Sequence, residues 1–94
     1  MKHYEIMFIV KPGDEQLVIT YVDKFTKLIT DNNGVVNKAD IWGEKALAYD
    51  LNGYKRGSYV LMTFHATPAC IKEVDRVMRI TDDVIRHMII SKSE

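Results

Sequence analysis

Cysteine is almost missing from this chain. Cys70 stands alone, so neither an internal disulfide nor a cysteine-held metal cluster can form. A single thiol suits a reducing compartment, and the chain is expected in the cytoplasm. Long apolar runs are missing as well. The opening Met1-Lys2-His3-Tyr4-Glu5 alternates like a strand, and the apolar residues after it are too few to span a membrane and lack a cleavage site. Neither sign of charge is in excess. Thirteen basic residues balance thirteen acidic ones, which argues against a domain that holds nucleic acid by charge alone. Any nucleic-acid contact is expected to be a local patch, or to be shared with a partner. There are no low-complexity tracts or linkers, so residues 1–94 read as one domain with a modest but sufficient core.

The patterns that carry catalysis are missing too. Cys70 falls in the first turn of a helix, where a thiol can be acidified, but it reads as a small buried residue. His3, His65 and His87 fall on three different strands. None has the His-x-x-x-His spacing of a metal site, so no metal is expected. Asp82-Asp83 sits in a turn, where Asp is common anyway. No Gly-rich phosphate loop is present. No enzyme activity and no cofactor are expected.

What is there is organised around Asp40–Gly57. A long extended segment, Val35 to Leu51, is broken at Gly43, and an isolated Gly in a strand marks a bulge or a close approach. Asn52 to Gly57 reads as a turn, with Lys55-Arg56 at its tip. A third strand is expected from Ser58 to Ala66.

One strand-then-helix unit stands on each side of this hairpin. The first strand, His3 to Val10, places Tyr4, Ile6, Phe8 and Val10 on one purely apolar face. Pro12-Gly13 ends it, and Asp14 caps a helix over about residues 15–32. Leu17, Tyr21, Phe25 and Leu28, widened by Val18, Val22 and Ile29, form its apolar stripe. Asn33-Gly34 stops it, with Gly34 expected in the left-handed position. In the third strand Val60, Met62 and Phe64 point inward. Thr67-Pro68 opens a second helix, which ends near Arg79 and carries Ile71, Val74, Val77 and Met78. The fourth strand runs from Val84 to Ser91, and three polar residues finish the chain.

Strand, helix, strand, strand, helix, strand with right-handed crossovers is the α+β, ferredoxin-like βαββαβ sandwich. It predicts a four-stranded antiparallel sheet of order 4-1-3-2 with two helices on one face. The other face is open. There Met7, Ile9, Tyr59 and Leu61 on the central strands form an apolar strip suited to a protein partner, a second copy of the chain, or unstacked bases. Tyr59 is its only outward aromatic, which is poor for stacking bases. Lys2 and Arg86 fall on adjacent strands, with Arg79 leading into the fourth. Clustered at one sheet end, they would contact phosphate.

Four ordered segments carry a family resemblance over nearly the whole chain. They are Tyr4-Glu5-Ile6-Met7-Phe8-Ile9-Val10-Lys11-Pro12, Trp42-Gly43-Glu44-Lys45-Ala46-Leu47-Ala48-Tyr49-Asp50-Leu51, Gly57-Ser58-Tyr59, and Arg79-Ile80-Thr81-Asp82-Asp83-Val84-Ile85-Arg86-His87. Together they resemble the family of the sixth protein of the bacterial small ribosomal subunit. The chain departs from it in having only Lys45 where a basic pair precedes Leu-Ala-Tyr, and in stopping three residues past Ser91, where many members have a longer tail that wraps the neighbouring protein. The resemblance implies a structural, non-enzymatic role on the ribosome. It implies binding to the central domain of 16S ribosomal RNA together with small-subunit protein eighteen. By position it implies RNA contacts at Lys2, His3, Lys45, Arg79, Arg86 and His87, and puts Tyr59 and Leu61 on the surface of the partner or its border with RNA; the whole strip of Met7, Ile9, Tyr59 and Leu61 is the expected partner face. The alternative is a homo-oligomeric ligand-sensing or interaction domain of the same fold.

Overall fold

Alternation decides the first strand. In β1 (Lys2–Val10) Tyr4, Ile6, Phe8 and Val10 are all buried. The remaining elements of the computed structural model, which describes residues 1–92, are α1 (Glu15–Asp31), β2 (Val35–Leu51), β3 (Tyr54–Ala66), α2 (Pro68–Arg79) and β4 (Val84–Lys92). Ser93 and Glu94, the last of the three terminal polar residues, lie outside the described residues. The sheet is antiparallel throughout, in the order β2-β3-β1-β4, which is the expected 4-1-3-2 order read from the other edge.

The helices cover one face. Asp14 caps α1 by accepting from the Gln16 and Leu17 amides, and Thr67 caps α2 by accepting from the Cys70 amide. Val18, Phe25 and Ile29 from α1 and Cys70, Val74 and Met78 from α2 meet the inward residues of β1 and β3, with Phe8 and Phe25 edge to face at 5.2 Å. Burial of this apolar layer is the main favourable term in folding. Cys70 packs within it, and its surroundings push the thiol pKa up rather than down.

A polar knot ties the layers at one end. Asp83 accepts from the Tyr21 hydroxyl at 2.6 Å and pairs with Lys11 at 2.9 Å, while the Lys11 amide donates to the Asp83 carbonyl. The hydrogen bond to Asp83, then burial, pushes the Tyr21 phenol up to about 12. The same bond, then that from Lys11, holds the Asp83 carboxyl below its usual value.

Two details differ from expectation. The turn is two residues, Asn52-Gly53, both with positive φ (50° and 85°), the conformation that Asn-Gly supplies in tight hairpins. Residues Tyr54–Gly57 therefore join β3, and Lys55-Arg56 lies on a strand rather than at a loop tip. At the end of α1 it is Asn33, not Gly34, that takes the left-handed conformation (φ 65°). Gly34 is needed for space: a Cβ there would sit 2.6 Å from Ile29 Cγ2. Gly43 does mark a bulge, with φ 91° and a register shift between Ile41 and Gly43.

Two predictions follow from these layers. Phe8→Ala should cost about 3–5 kcal/mol in urea unfolding, as for other buried Phe truncations, because Phe8 is fully buried. Tyr21 has a raised folded-state pKa, so its contribution is complete below pH 10 and is lost as pH rises toward about 12. Tyr21→Phe should therefore flatten the alkaline loss of stability across that window, measured by urea unfolding.

Candidate functional site

The hairpin shapes the open face. Beyond Ala46, β2 leaves the regular ladder: Ala46 pairs with Arg56, and the next pair is Leu51 with Tyr54. The surplus residues on the β2 side let Leu47–Leu51 lean across the sheet. They enclose a cavity of about 230 Å³ against Met7, Ile9, Tyr59 and Met88. The Asn52 side chain donates to the Ile85 carbonyl on β4 at 3.4 Å. This arm changes the expected strip. Met7, Tyr59 and Leu61 are half-buried on the open face, but Ile9 is only 6% exposed beneath the hairpin and is not available to a partner. The accessible apolar surface extends instead onto β4, where Met88 and Ile90 are 49% and 47% exposed. Their alternation with His87 and Ile89 was the signal for this in the sequence.

The basic candidates do not form one cluster. Lys2 pairs with Ala66 at one end of the sheet, whereas Arg86 stands opposite Ile9 at the other. That is seven positions along β1, or ~23 Å at the rise of a strand. The expectation that Lys2 and Arg86 share one sheet end is therefore corrected. Lys2 and His3 mark the far end, where the His3 ring stacks on His65 at 4.6 Å and His65 Nδ1 lies 2.7 Å from the Asn37 side-chain oxygen. Lys45 and Arg86 mark the hairpin end. Arg79 lies at the end of α2 on the helix side.

Ion pairing sorts the cations further. Arg79 bonds Asp75 at 2.9 Å, and His87 Nε2 lies 2.7 Å from the other oxygen of the same carboxylate. His87 stands opposite Phe8, so it points to the helix side, and its side chain is 16% exposed. There it links β4 to α2 through Asp75. The His87 hydrogen bond, then the Arg79 charge, holds the Asp75 carboxyl low against the opposing effect of burial. Arg56 bonds Glu44 at 2.9 Å, and Arg76 is paired with Glu73. Two cations keep neutral aromatic partners instead. Lys45 lies over the Trp42 ring at 5.9 Å, and Arg86 donates to the Tyr49 hydroxyl at 2.6 Å.

A split βαβ sandwich leaves one sheet face open, lined by apolar side chains and bordered by Lys45 and Arg86, whose partners among the described residues are aromatic; this is the layout of a binding domain. Its family follows from comparison. The profile described as Ribosomal protein S6 matches residues 3–91, and the chain belongs to that family. It is 46% identical over 95 aligned positions, covering all of both chains, to small ribosomal subunit protein bS6 of Desulforamulus reducens. It is 47% identical to that of Moorella thermoacetica, over 95% of this chain and 92% of the other. The crystal structure of 30S ribosomal protein S6 from Thermotoga maritima superposes with a TM-score of 0.91 at 25% identity, covering 97% of this chain and 87% of that one. The C-terminal domain of MgtC from Mycobacterium tuberculosis shares only the fold, with a TM-score of 0.61 at 14% identity, over 98% of this chain and 88% of that one. The chain is thus a structural protein of the small ribosomal subunit in the cytoplasm, not an enzyme.

Neighbouring residues of β4 should separate stability from contact. His87→Ala should lower stability by about 1–2 kcal/mol, since it strands part of a partly buried carboxylate. Arg86→Ala should leave the melting temperature unchanged, because exposed polar contacts add little. Thermal unfolding of the two variants side by side checks both.

Proposed function

We propose that this chain binds the central domain of 16S ribosomal RNA jointly with small-subunit protein eighteen. The protein contact is assigned to Met7, Tyr59 and Leu61, extended by Met88 and Ile90. The RNA contacts are assigned to Lys45 and Arg86 at the hairpin end and to Lys2 and His3 at the far end. Arg79, on the helix side, is a further candidate, with part of its charge spent on Asp75.

The observation that carries this reading is the combination of a neutral chain with an open apolar face bordered by Lys45 and Arg86, which among the described residues face aromatic groups rather than carboxylates. A neutral domain neutralises few phosphates and releases few counterions, so the protein alone should bind RNA weakly. A basic partner docked on the apolar face supplies the remaining charge.

Titrations at two salt concentrations test the reading. The pair with protein eighteen should bind an rRNA fragment much more tightly than either protein alone. Reversing the charges of Lys45 and Arg86 should weaken RNA binding by the pair and make its salt dependence shallower. Leu61→Glu should instead weaken pairing, because a carboxylate would be buried without a partner. Tight RNA binding by the protein alone, unaffected by Leu61→Glu, would sink the shared-binding reading.

A further inference from the structure

We propose that Tyr49 is a positioning residue for RNA binding: its phenol orients the Arg86 guanidinium toward a phosphate without cancelling its charge. The inference rests on the reading above that Arg86 contacts RNA.

The four arginines make the contrast. Arg56, Arg76 and Arg79 are each paired with a carboxylate, on Glu44, Glu73 and Asp75. Among the described residues Arg86 has no carboxylate partner, and its Nη1 donates to the Tyr49 hydroxyl at 2.6 Å. A carboxylate also orients a guanidinium, but it competes with phosphate for the same N–H groups and neutralises the charge that attracts it. A phenol carries no charge near neutral pH and accepts one hydrogen bond here. The remaining N–H groups of Arg86 stay available for two parallel bonds to a phosphate.

Tyr49 itself is held in place. Leu47 and Leu51, two positions before and after it, line the cavity over the sheet, and Asn52 donates to the Ile85 carbonyl. The arm is thus fixed to β4 at the residue next to Arg86. This explains how a phenol that is 60% exposed still sits at a defined place. Orienting a long side chain in advance removes part of the ordering cost of binding.

The experiment is a double-mutant cycle. Tyr49→Phe, Arg86→Ala and the double variant are each paired with protein eighteen and titrated with an rRNA fragment at two salt concentrations. Tyr49→Phe should bind about three- to ten-fold more weakly with an unchanged salt slope, since the same phosphates are contacted. Arg86→Ala should weaken binding and lower the slope by about one. The double variant should be no weaker than Arg86→Ala. Unchanged binding by Tyr49→Phe beside a weakened Arg86→Ala would overturn the positioning role and leave the RNA reading standing. No effect of Arg86→Ala would overturn the reading itself. An additive double variant would mean that Tyr49 touches RNA or partner directly, and a loss of pairing by Tyr49→Phe without RNA would make it structural. Either result removes the positioning role.

Discussion

Gly57 lies so close to β1 that a Cβ there would sit 2.3 Å from Ile9 Cγ2. Real side chains do not approach that closely, so the hairpin can cross the sheet at this point only because residue 57 has none. The crossing has several consequences. Ile9 loses its exposure, Asn52 comes within reach of the Ile85 carbonyl, and Tyr49 comes within reach of Arg86. Ile85 is buried in the same place. One absent side chain on β3 thereby sets what β4 can present to a partner.

Charge follows a similar logic of place rather than amount. The chain has no net charge, yet its cations differ in what faces them. Lys11, Lys27, Lys38 and Lys92 are each within bonding distance of a carboxylate, as are three of the arginines. Exposed pairs of this kind contribute little stability. Among the described residues, Lys45 and Arg86 at the hairpin end face aromatic partners instead. Charge is thus distributed by tertiary contact although its total is zero.

The two faces of the sheet divide the work. The helix-covered face is apolar and buried, and it is the main source of stability. The open face carries half-buried and exposed apolar groups that, among the described residues, only the hairpin arm covers. Membership of the ribosomal protein S6 family gives that face its setting, since a protein of the small subunit is surrounded by other macromolecules.

Much of this was legible in the sequence because it depends on local rules. A two-residue alternation placed Ile6, Phe8, Val60 and Phe64 in the core, and the helical stripe placed Phe25 and Ile29 opposite them. Asp14 and Thr67 declared the helix starts, and the order of elements with right-handed crossovers gave the sheet order. The site was less legible, because it depends on register and on non-local approach. The antiparallel pairing of β1 with β4 sent Lys2 and Arg86 to opposite ends of the sheet, although their strands are neighbours. The pairing of His87 with Phe8 turned that imidazole to the helix side, toward Asp75. The residue that takes the left-handed turn after α1 was off by one, because Gly34 serves the close packing of Ile29 instead. The sequence by itself determined which faces are apolar and where the chain turns, since those follow from covalent geometry and solvation residue by residue. Which cations stand beside an acid, and which beside a phenol, was decided only by the tertiary structure, because those contacts join residues as far apart as Tyr49 and Arg86 through the path of one hairpin.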